Sequence, residues 1–500
     1  MVGRRLPSVM PELIKPEPHA PPELPAETSA ILRIFGRNTV WLWLDLGAIR
    51  IGTALAGLFL IRYFGPTNFG IYSMALAVGW VANAFIDLGL TRYAARAVAA
   101  TPEKVCGILA LNLFSTVLSA LLTAAGLLIA LKLGHWRTAC LAAGFIVCNF
   151  DGTANLCSNI LTAQLRSRAI LPGSLLGAGG LVAFIFAAIM FHLSVLSVLL
   201  LLSGRSIAVL GLRLWQLRRY WPGVGEWTVR RFREVAGCAL PYFANTLTQV
   251  GYAKIAILCL GFLATEESVG WFAAAFALSD VIPQWSYSLS GAILPVWTRL
   301  FETNRIEVML ELRQRLMDVI LFASIPIWIS MALFAPQICS LLGQKYIPSA
   351  DILRILALRC VFSVFDGFLG HGFLVAVDRV KERQSALARC AALLIGLSLL
   401  FGYLWGARGV ALALLTSDSC LILQYLKISS RIRLKVHPPP SFAPIFFAGA
   451  CMALTTFLLP AGTDIIPKLL FAFLSYFGVL VVLSRKQLLS AGKTVIECLS

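Results

Sequence analysis

The chain reads as an all-α polytopic membrane protein with about 14 transmembrane helices, and three observations carry that reading. First, 59% of its 500 residues are hydrophobic and only 13% are charged, with a mean hydropathy of +0.82. These values lie far outside the soluble range. Second, apolar stretches recur along the chain, each near the roughly 20 residues that a helix needs to cross a hydrocarbon core about 30 Å thick. Third, Lys and Arg avoid every second connection between these stretches. Membrane-spanning strands would instead show short alternating segments of about ten residues.

Taken in order, residues 1–34 form a polar tail with seven prolines before position 30 (Pro7, Pro11, Pro16, Pro18, Pro21, Pro22, Pro25), expected to be disordered. No cleavable signal peptide is expected, because the first apolar run begins near Asn38 and is full length. The expected spans are 38–61, 69–90, 105–131, 138–160, 170–191 and 195–215, then 235–262, 269–298, 316–342, 352–377, 384–404 and 406–427, and finally 441–460 and 465–484. Short connections favour antiparallel neighbours packed as a bundle. Most of the twelve cysteines lie inside apolar stretches, without Cys-x-x-Cys or Cys/His metal spacing. They read as small buried residues, and neither a metal nor a cofactor is expected.

With a cytoplasmic N-terminus, thirty of the 42 basic residues fall on cytoplasmic connections and tails, and six (Arg62, Lys132, Arg137, Lys345, Arg408, Lys468) on the other side. The positive-inside rule therefore places both termini in the cytoplasm. The net charge of +18, which in a soluble chain would suggest nucleic acid, is accounted for by topology. Trp136, Trp221, Trp227, Trp271 and Trp405 fall near span ends, where amphipathic rings prefer the headgroup layer. A short repeat is also visible. Phe69-Gly70-Ile71-Tyr72-Ser73-Met74-Ala75 opens the second span, and Val269-Gly270-Trp271-Phe272-Ala273-Ala274-Ala275 opens the eighth, 200 residues later. A spacing of six spans preserves orientation, so the repeats would be parallel, related by an axis along the membrane normal.

The run Arg62-Tyr63-Phe64-Gly65-Pro66-Thr67-Asn68-Phe69-Gly70-Ile71-Tyr72, continuing to Asp87-Leu88-Gly89-Leu90, resembles the opening of bacterial polysaccharide flippases. These belong to the multidrug/oligosaccharidyl-lipid/polysaccharide exporter superfamily. Further similarities are Ala335-Pro336-Gln337-Ile338 through Leu342-Gly343-Gln344-Lys345-Tyr346, Ala350-Asp351-Ile352-Leu353-Arg354-Ile355-Leu356-Ala357, and Gly406-Ala407-Arg408-Gly409-Val410-Ala411. The resemblance covers roughly residues 35–430 in order. It implies two pseudo-symmetric six-helix bundles (35–215 and 235–428) around a central cavity. A basic linker (216–234) joins them, and a cytoplasmic loop (429–440), two extra helices (441–484) and a tail (485–500) follow. It also implies transport of a lipid-linked oligosaccharide, usually on undecaprenyl diphosphate, across the bacterial cytoplasmic membrane. One departure stands out. Many relatives carry an acid shortly after the basic residue of the seventh span, whereas this chain reads Tyr252-Ala253-Lys254-Ile255-Ala256. A coupling scheme that depends on that acid is therefore in question.

Six basic residues remain inside the spans: Arg50, Arg205, Lys254, Arg354, Arg359 and Arg389. Each costs about 2.5–3.5 kcal/mol at a helix centre on insertion scales, so such groups face a cavity or a partner. Arg354 and Arg389 lie near span ends and can snorkel. The deeper set, Arg50, Arg205, Lys254 and Arg359, suits the binding of an anionic substrate; the alternative for each is an ion pair between helices. The acids in or near the spans are Asp45, Asp151, Asp280, Asp366 and Asp418, with Asp87 and Asp378 nearer the cytoplasmic face. Asp45, Asp280, Asp366 and His371 are the candidates for ion coupling. Asp45 and Arg50 point about 140° apart on a helix, whereas Arg359 and Asp366 share a face about 10 Å apart.

The resemblance, together with the deep basic residues, thus implies a flippase for an anionic lipid-linked oligosaccharide serving O-antigen, capsule or exopolysaccharide synthesis. Its expected partners are a proton or sodium gradient, membrane lipid, and polysaccharide polymerase and chain-length proteins. No G-x-x-x-x-G-K-[ST] loop is present to support ATP hydrolysis. A cation-coupled multidrug antiporter would want an acid-rich cavity and is the second reading. A membrane-embedded polysaccharide polymerase or ligase would need catalytic groups on a large external loop, and the external connections here are short.

Overall fold

The computed structural model describes residues 26–100, 104–164, 167–218, 227–431, 442–459 and 467–483. Most of the proline-rich tail, the middle of the 216–234 linker, the loop after 431 and the 485–500 tail lie outside the described residues. Among the described residues every regular element is helical, and all fourteen expected spans fall on helix. The chain is an all-α multi-pass membrane protein.

The first helix, α1 (Ala26–Asp87), begins directly after Pro25, earlier than the span it contains. At 62 residues it would be about 93 Å long if straight, three times the hydrocarbon thickness. It is broken at Gly65, whose φ of 67° kinks the chain ahead of Pro66, so the first two expected spans are separate helices on either side of the kink. Then follow α2 (Leu90–Ala100), α3 (Val105–Lys132), α4 (Trp136–Ala163), α5 (Ser167–Met190) and α6 (Val195–Gln216). The later elements are α7 (Val229–Leu263), α8 (Glu266–Ser279), α9 (Val281–Glu302), α10 (Ile306–Leu333), α11 (Ala335–Leu342), α12 (Ser349–Phe365), α13 (Leu374–Ala376), α14 (Val380–Arg431), α15 (Phe442–Leu458) and α16 (Pro467–Leu483). Gly406 breaks α14, with a φ of 56°, as Gly65 breaks α1. Among the described residues, eight helices are individually long and apolar enough to cross a membrane, and α15 and α16 are shorter apolar helices.

Three expected spans are interrupted. The 269–298 span divides into α8 and α9 at Asp280, because Pro283 supplies no N–H to the carbonyl of Ser279. The 316–342 span divides at Phe334, ahead of Pro336 in the first turn of α11. The 352–377 span runs from α12 into a π-helical stretch, Asp366–Phe373. Such widened turns frequently mark functional sites.

Side-chain caps set several of the starts. Ser194, Thr228 and Thr265 accept from the backbone N–H groups of Ser197, Arg231 and Ser268 at the heads of α6, α7 and α8. In the packing, α1 lies against α4, α5, α7 and α8, α4 against α3 and α6, and α14 against α7 and α12, while α15 packs on α10. A polar seam joins α3 to α4, where Thr116 bonds Thr153 at 2.7 Å and Asn149 donates to Ser119 at 3.0 Å. The 69–75 and 269–275 stretches meet where α1 crosses α8. Nearby, Tyr346 donates to the Ile61 carbonyl at 2.8 Å, and Arg137 pairs with Glu266 at 2.8 Å.

Candidate functional site

The structure sorts the deep cations by what each one touches. Arg205 on α6 pairs with Asp151 on α4 at 2.7 Å and also donates to the Gly177 carbonyl and to Ser206. The pair leaves few guanidinium donors free for a substrate.

Arg359 on α12 is more enclosed. Its Nε donates to Asp418 Oδ2 on α14 at 2.9 Å, and both side chains are less than a tenth exposed. Ser363 donates to the same oxygen at 2.8 Å, while Tyr252 on α7 donates to the other carboxylate oxygen. The guanidinium also lies 5.2 Å from the ring centre of Phe276. Arg359 and Asp366, the pair that helical spacing aligned, make no ion pair among the described residues; the partner comes from another helix.

The two ion pairs answer to each other. In the first, the acid is on α4 and the arginine on α6; in the second, the arginine is on α12 and the acid on α14. Six spans separate the fourth from the tenth and the sixth from the twelfth, so equivalent helices are bridged with the charges exchanged.

Lys254 and Arg50 differ from these. Lys254 lies on α7, half-buried, with Asp280 and Cys148 as its electrostatic neighbours. It makes no ion pair among the described residues, and Asp280 accepts instead from Gln284 at 2.9 Å. Cys148 is on α4 and Asp280 on the α8–α9 junction, so the ammonium faces both halves of the chain. Arg50 lies on α1, exposed and without an ion pair among the described residues. Its helix packs against α7. Asp45 is also on α1, but its side chain lies outside the described ones.

The remaining coupling candidates gather around the π-helical stretch. Asp366 accepts from Tyr287 at 2.7 Å and lies 3.8 Å from His371 Nδ1. Arg383 Nη2 sits 2.8 Å from His371 Nε2, and the Tyr287 ring meets the imidazole edge-on at 4.7 Å. The same Nη2 lies 3.1 Å from Nδ1, and a neutral imidazole accepts at one nitrogen, so either tautomer can take the guanidinium N–H. Near the span ends, Arg354 pairs with Asp351 at 2.9 Å and Arg389 donates to Gln424 at 2.9 Å.

Sequence reasoning did not single out Asp151, Asp418, Tyr252 or Arg383 as site residues. The acids were visible as mid-span charges, but their partners lie on other helices. Arg383 was absorbed into the cytoplasmic charge count. No group of three or more His, Cys, Asp or Glu among the described residues is placed to hold a metal ion.

Residues 35–301 match the family model described as polysaccharide biosynthesis protein. The chain belongs to that family. No curated protein matches it. Among solved structures, the fold is similar to that of the lipid II flippase MurJ in an inward closed conformation, with a TM-score of 0.69 at 15% identity, covering 90% of this chain and 99% of that one. It is also similar to a multidrug resistance MATE family transporter of the MOP superfamily. The inward-facing form gives a TM-score of 0.53 at 17% identity, covering 79% of this chain and 94% of that one. The outward-facing form gives 0.51 at 17% identity, covering 80% and 96%. At these identities the likeness establishes the shared fold.

Proposed function

We propose that this member of the polysaccharide biosynthesis family is a flippase that moves an anionic lipid-linked oligosaccharide across the bacterial cytoplasmic membrane by alternating access. The substrate class is an undecaprenyl-diphosphate-linked repeat unit for O-antigen, capsule or exopolysaccharide synthesis. Both termini face the cytoplasm in this reading, as the distribution of basic residues requires. Lys254 and Arg50, one from the first span of each half, hold the anionic head group while the polyprenyl tail stays in lipid.

One observation carries the reading: Lys254 makes no ion pair among the described residues, with Asp280 and Cys148 only as electrostatic neighbours, while Arg205 and Arg359 are each neutralised inside one half. A cation kept unpaired at that depth is costly unless an anion visits it. A carrier of cationic drugs would need several free acids, yet Asp151 and Asp418 are both spent on arginines and Asp280 stands beside Lys254.

Coupling to a proton or sodium gradient is assigned to Asp366 and His371, with Asp280 and Asp45 as further candidates. The support is that Asp366 and His371 share one π-helical stretch and are linked to Tyr287 and Arg383 on two other helices. The test is translocation of lipid-linked oligosaccharide in reconstituted vesicles. Arg50→Ala and Lys254→Ala, correctly inserted, are expected to abolish it. Intact transport in both would overturn the assignment.

A further inference from the structure

We infer that the two arms of α14 hold the head group of an anionic phospholipid from the surrounding bilayer, with Arg389 as the residue that grips its phosphate. The inference needs only that the chain spans a membrane and does not rest on the flippase reading.

The arms run antiparallel from the break at Gly406. Gly409 packs on the carbonyl of Phe401, Ser417 donates to the Cys390 carbonyl at 3.0 Å, and Gln424 meets Arg389, so partners rise along one arm as they fall along the other. Arg389 is exposed, yet its guanidinium is fixed. Nε and Nη2 both donate to Gln424 Oε1, at 2.9 and 2.6 Å, and Nη1 donates to Ser385 at 2.7 Å. Gln424 is itself held, because its amide donates to Cys390 Sγ at 3.0 Å. An arginine that only snorkelled would trail a mobile side chain toward water. This one is aimed by bonds to neutral groups and makes no ion pair among the described residues. Those bonds leave one N–H on each terminal nitrogen, a pair that suits two oxygens of one phosphate.

The Arg389–Gln424 contact sets two polar strips side by side. Lys381, Ser385 and Arg389 follow one another at four-residue spacing on the first arm, and Gln424, Lys427 and Arg431 at three and then four on the second. Lys381, Lys427 and Arg431 are exposed and also make no ion pair among the described residues. Glu382 is engaged by Arg379 at 2.7 Å, and Asp418, the other acid of α14, is buried against Arg359. The four cations therefore lack a counter-charge on their own helix, and an uncompensated charge facing lipid is costly. Farther along the arms the exposed face turns apolar, with Leu393, Leu400 and Leu423. A surface basic at one end and apolar beyond it matches a phospholipid, phosphate at the arginine and acyl chains along the leucines. Both strips belong to one helix of one half, which suits a lipid that stays in place better than a cargo passing between the halves.

The experiment is thermal unfolding of the purified full chain in detergent, titrated with phosphatidylglycerol and separately with phosphatidylcholine. Phosphatidylglycerol is expected to raise the melting temperature and phosphatidylcholine is not, since a ligand stabilises only the fold that binds it. Arg389→Gln changes an exposed position and should weaken the affinity for phosphatidylglycerol by roughly ten-fold, each shift being read against the variant's own lipid-free melting temperature. Arg389→Lys keeps the charge without the fork and should lose part of the affinity. Lys132→Gln, which removes an exposed cation at the end of α3, should respond as the native chain does. An undiminished response in Arg389→Gln, or equal stabilisation by the two lipids, would overturn the site. So would a loss in Lys132→Gln as large as that in Arg389→Gln, because the response would then follow overall charge. Stabilisation by farnesyl diphosphate and not by phosphatidylglycerol would make the strips a cargo site and overturn the phospholipid assignment.

Discussion

Gly70 and Gly270 pack against each other's helices in reciprocal fashion. A Cβ on Gly70 would lie 1.9 Å from the carbonyl oxygen of Glu266, and a Cβ on Gly270 would lie 1.8 Å from that of Pro66. Each glycine therefore meets the residue four places before the other, and both pairs are related by the same 200 positions. This is what a two-fold axis between parallel repeats requires: residue i of one meets j of the other, and j meets i.

The crossing sets the first prediction. Gly70→Ala or Gly270→Ala cannot be absorbed by a side-chain rotation, because the obstructing atom is backbone in both cases. Either substitution should force α1 and α8 apart, cost about 1–3 kcal/mol as overpacking does, and lower the melting temperature in detergent. The Tyr346–Ile61 and Arg137–Glu266 links beside the crossing should loosen with it. Melting and transport unchanged from the native chain in both variants would refute this tight crossing.

The exchanged ion pairs give the second. Removing either member of the enclosed Arg359–Asp418 pair leaves an uncompensated charge, at a cost of about 3–5 kcal/mol. Arg205→Gln should cost less, because Asp151 is a quarter exposed and can be rehydrated. Since equivalent helices tolerate either polarity, the double exchange Arg359→Asp with Asp418→Arg should recover much of the loss of the single variants. Thermal unfolding of the four proteins as a double-mutant cycle measures the coupling. Strict additivity would show that the two side chains do not act as a pair.

Lys254 should behave in the opposite way. It makes no close ion pair among the described residues, with Asp280 only an electrostatic neighbour, so Lys254→Ala should leave the melting temperature unchanged or higher, while transport falls by roughly ten-fold or more. Tyr252, two residues earlier, is bonded to Asp418 and anchors this part of α7. Tyr252→Phe should therefore reduce both stability and transport. A loss of stability in Lys254→Ala matching that of Tyr252→Phe would make Lys254 a structural residue and exclude it as the ligand of the head group.

How far these features were legible in the sequence follows from their range. Span positions depend on composition over about twenty neighbouring residues, and all fourteen appear as helix. The interruptions at Asp280 and Phe334 each had a proline within reach, Pro283 and Pro336, yet an apolar run conceals a break that leaves hydropathy unchanged. The ion pairs were out of reach for another reason. Spacing along one helix can test Asp45 with Arg50, or Arg359 with Asp366. The actual partners of Arg205 and Arg359 lie 54 and 59 residues away on other helices. Arg383 was hidden by a rule that worked: counted as cytoplasmic charge, it needed no further explanation.

The last prediction concerns His371, whose ring nitrogens lie 2.8 and 3.1 Å from the Nη2 of the buried Arg383 while Nδ1 is 3.8 Å from Asp366. A proton arriving on the ring's free nitrogen would remove the acceptor and turn the ring into a cation beside Arg383, with Asp366 as its compensating neighbour. The arrangement thus has two states that differ by one proton and by whether Arg383 is held. His371→Gln keeps an amide oxygen able to accept from Arg383 but cannot take up a proton near neutral pH. It should fold with native-like thermal stability, yet no longer respond to an imposed proton gradient in vesicles. His371→Phe removes the acceptor as well and should lose stability, because Arg383 is then left with further unpaired donors. Asp366→Asn tests the other side of the couple, and the gradient response should again be lost with the fold retained. If His371→Gln and Asp366→Asn both transport under the gradient at the native rate, proton coupling does not run through this stretch. Asp280 and Asp45 would then be the positions to test.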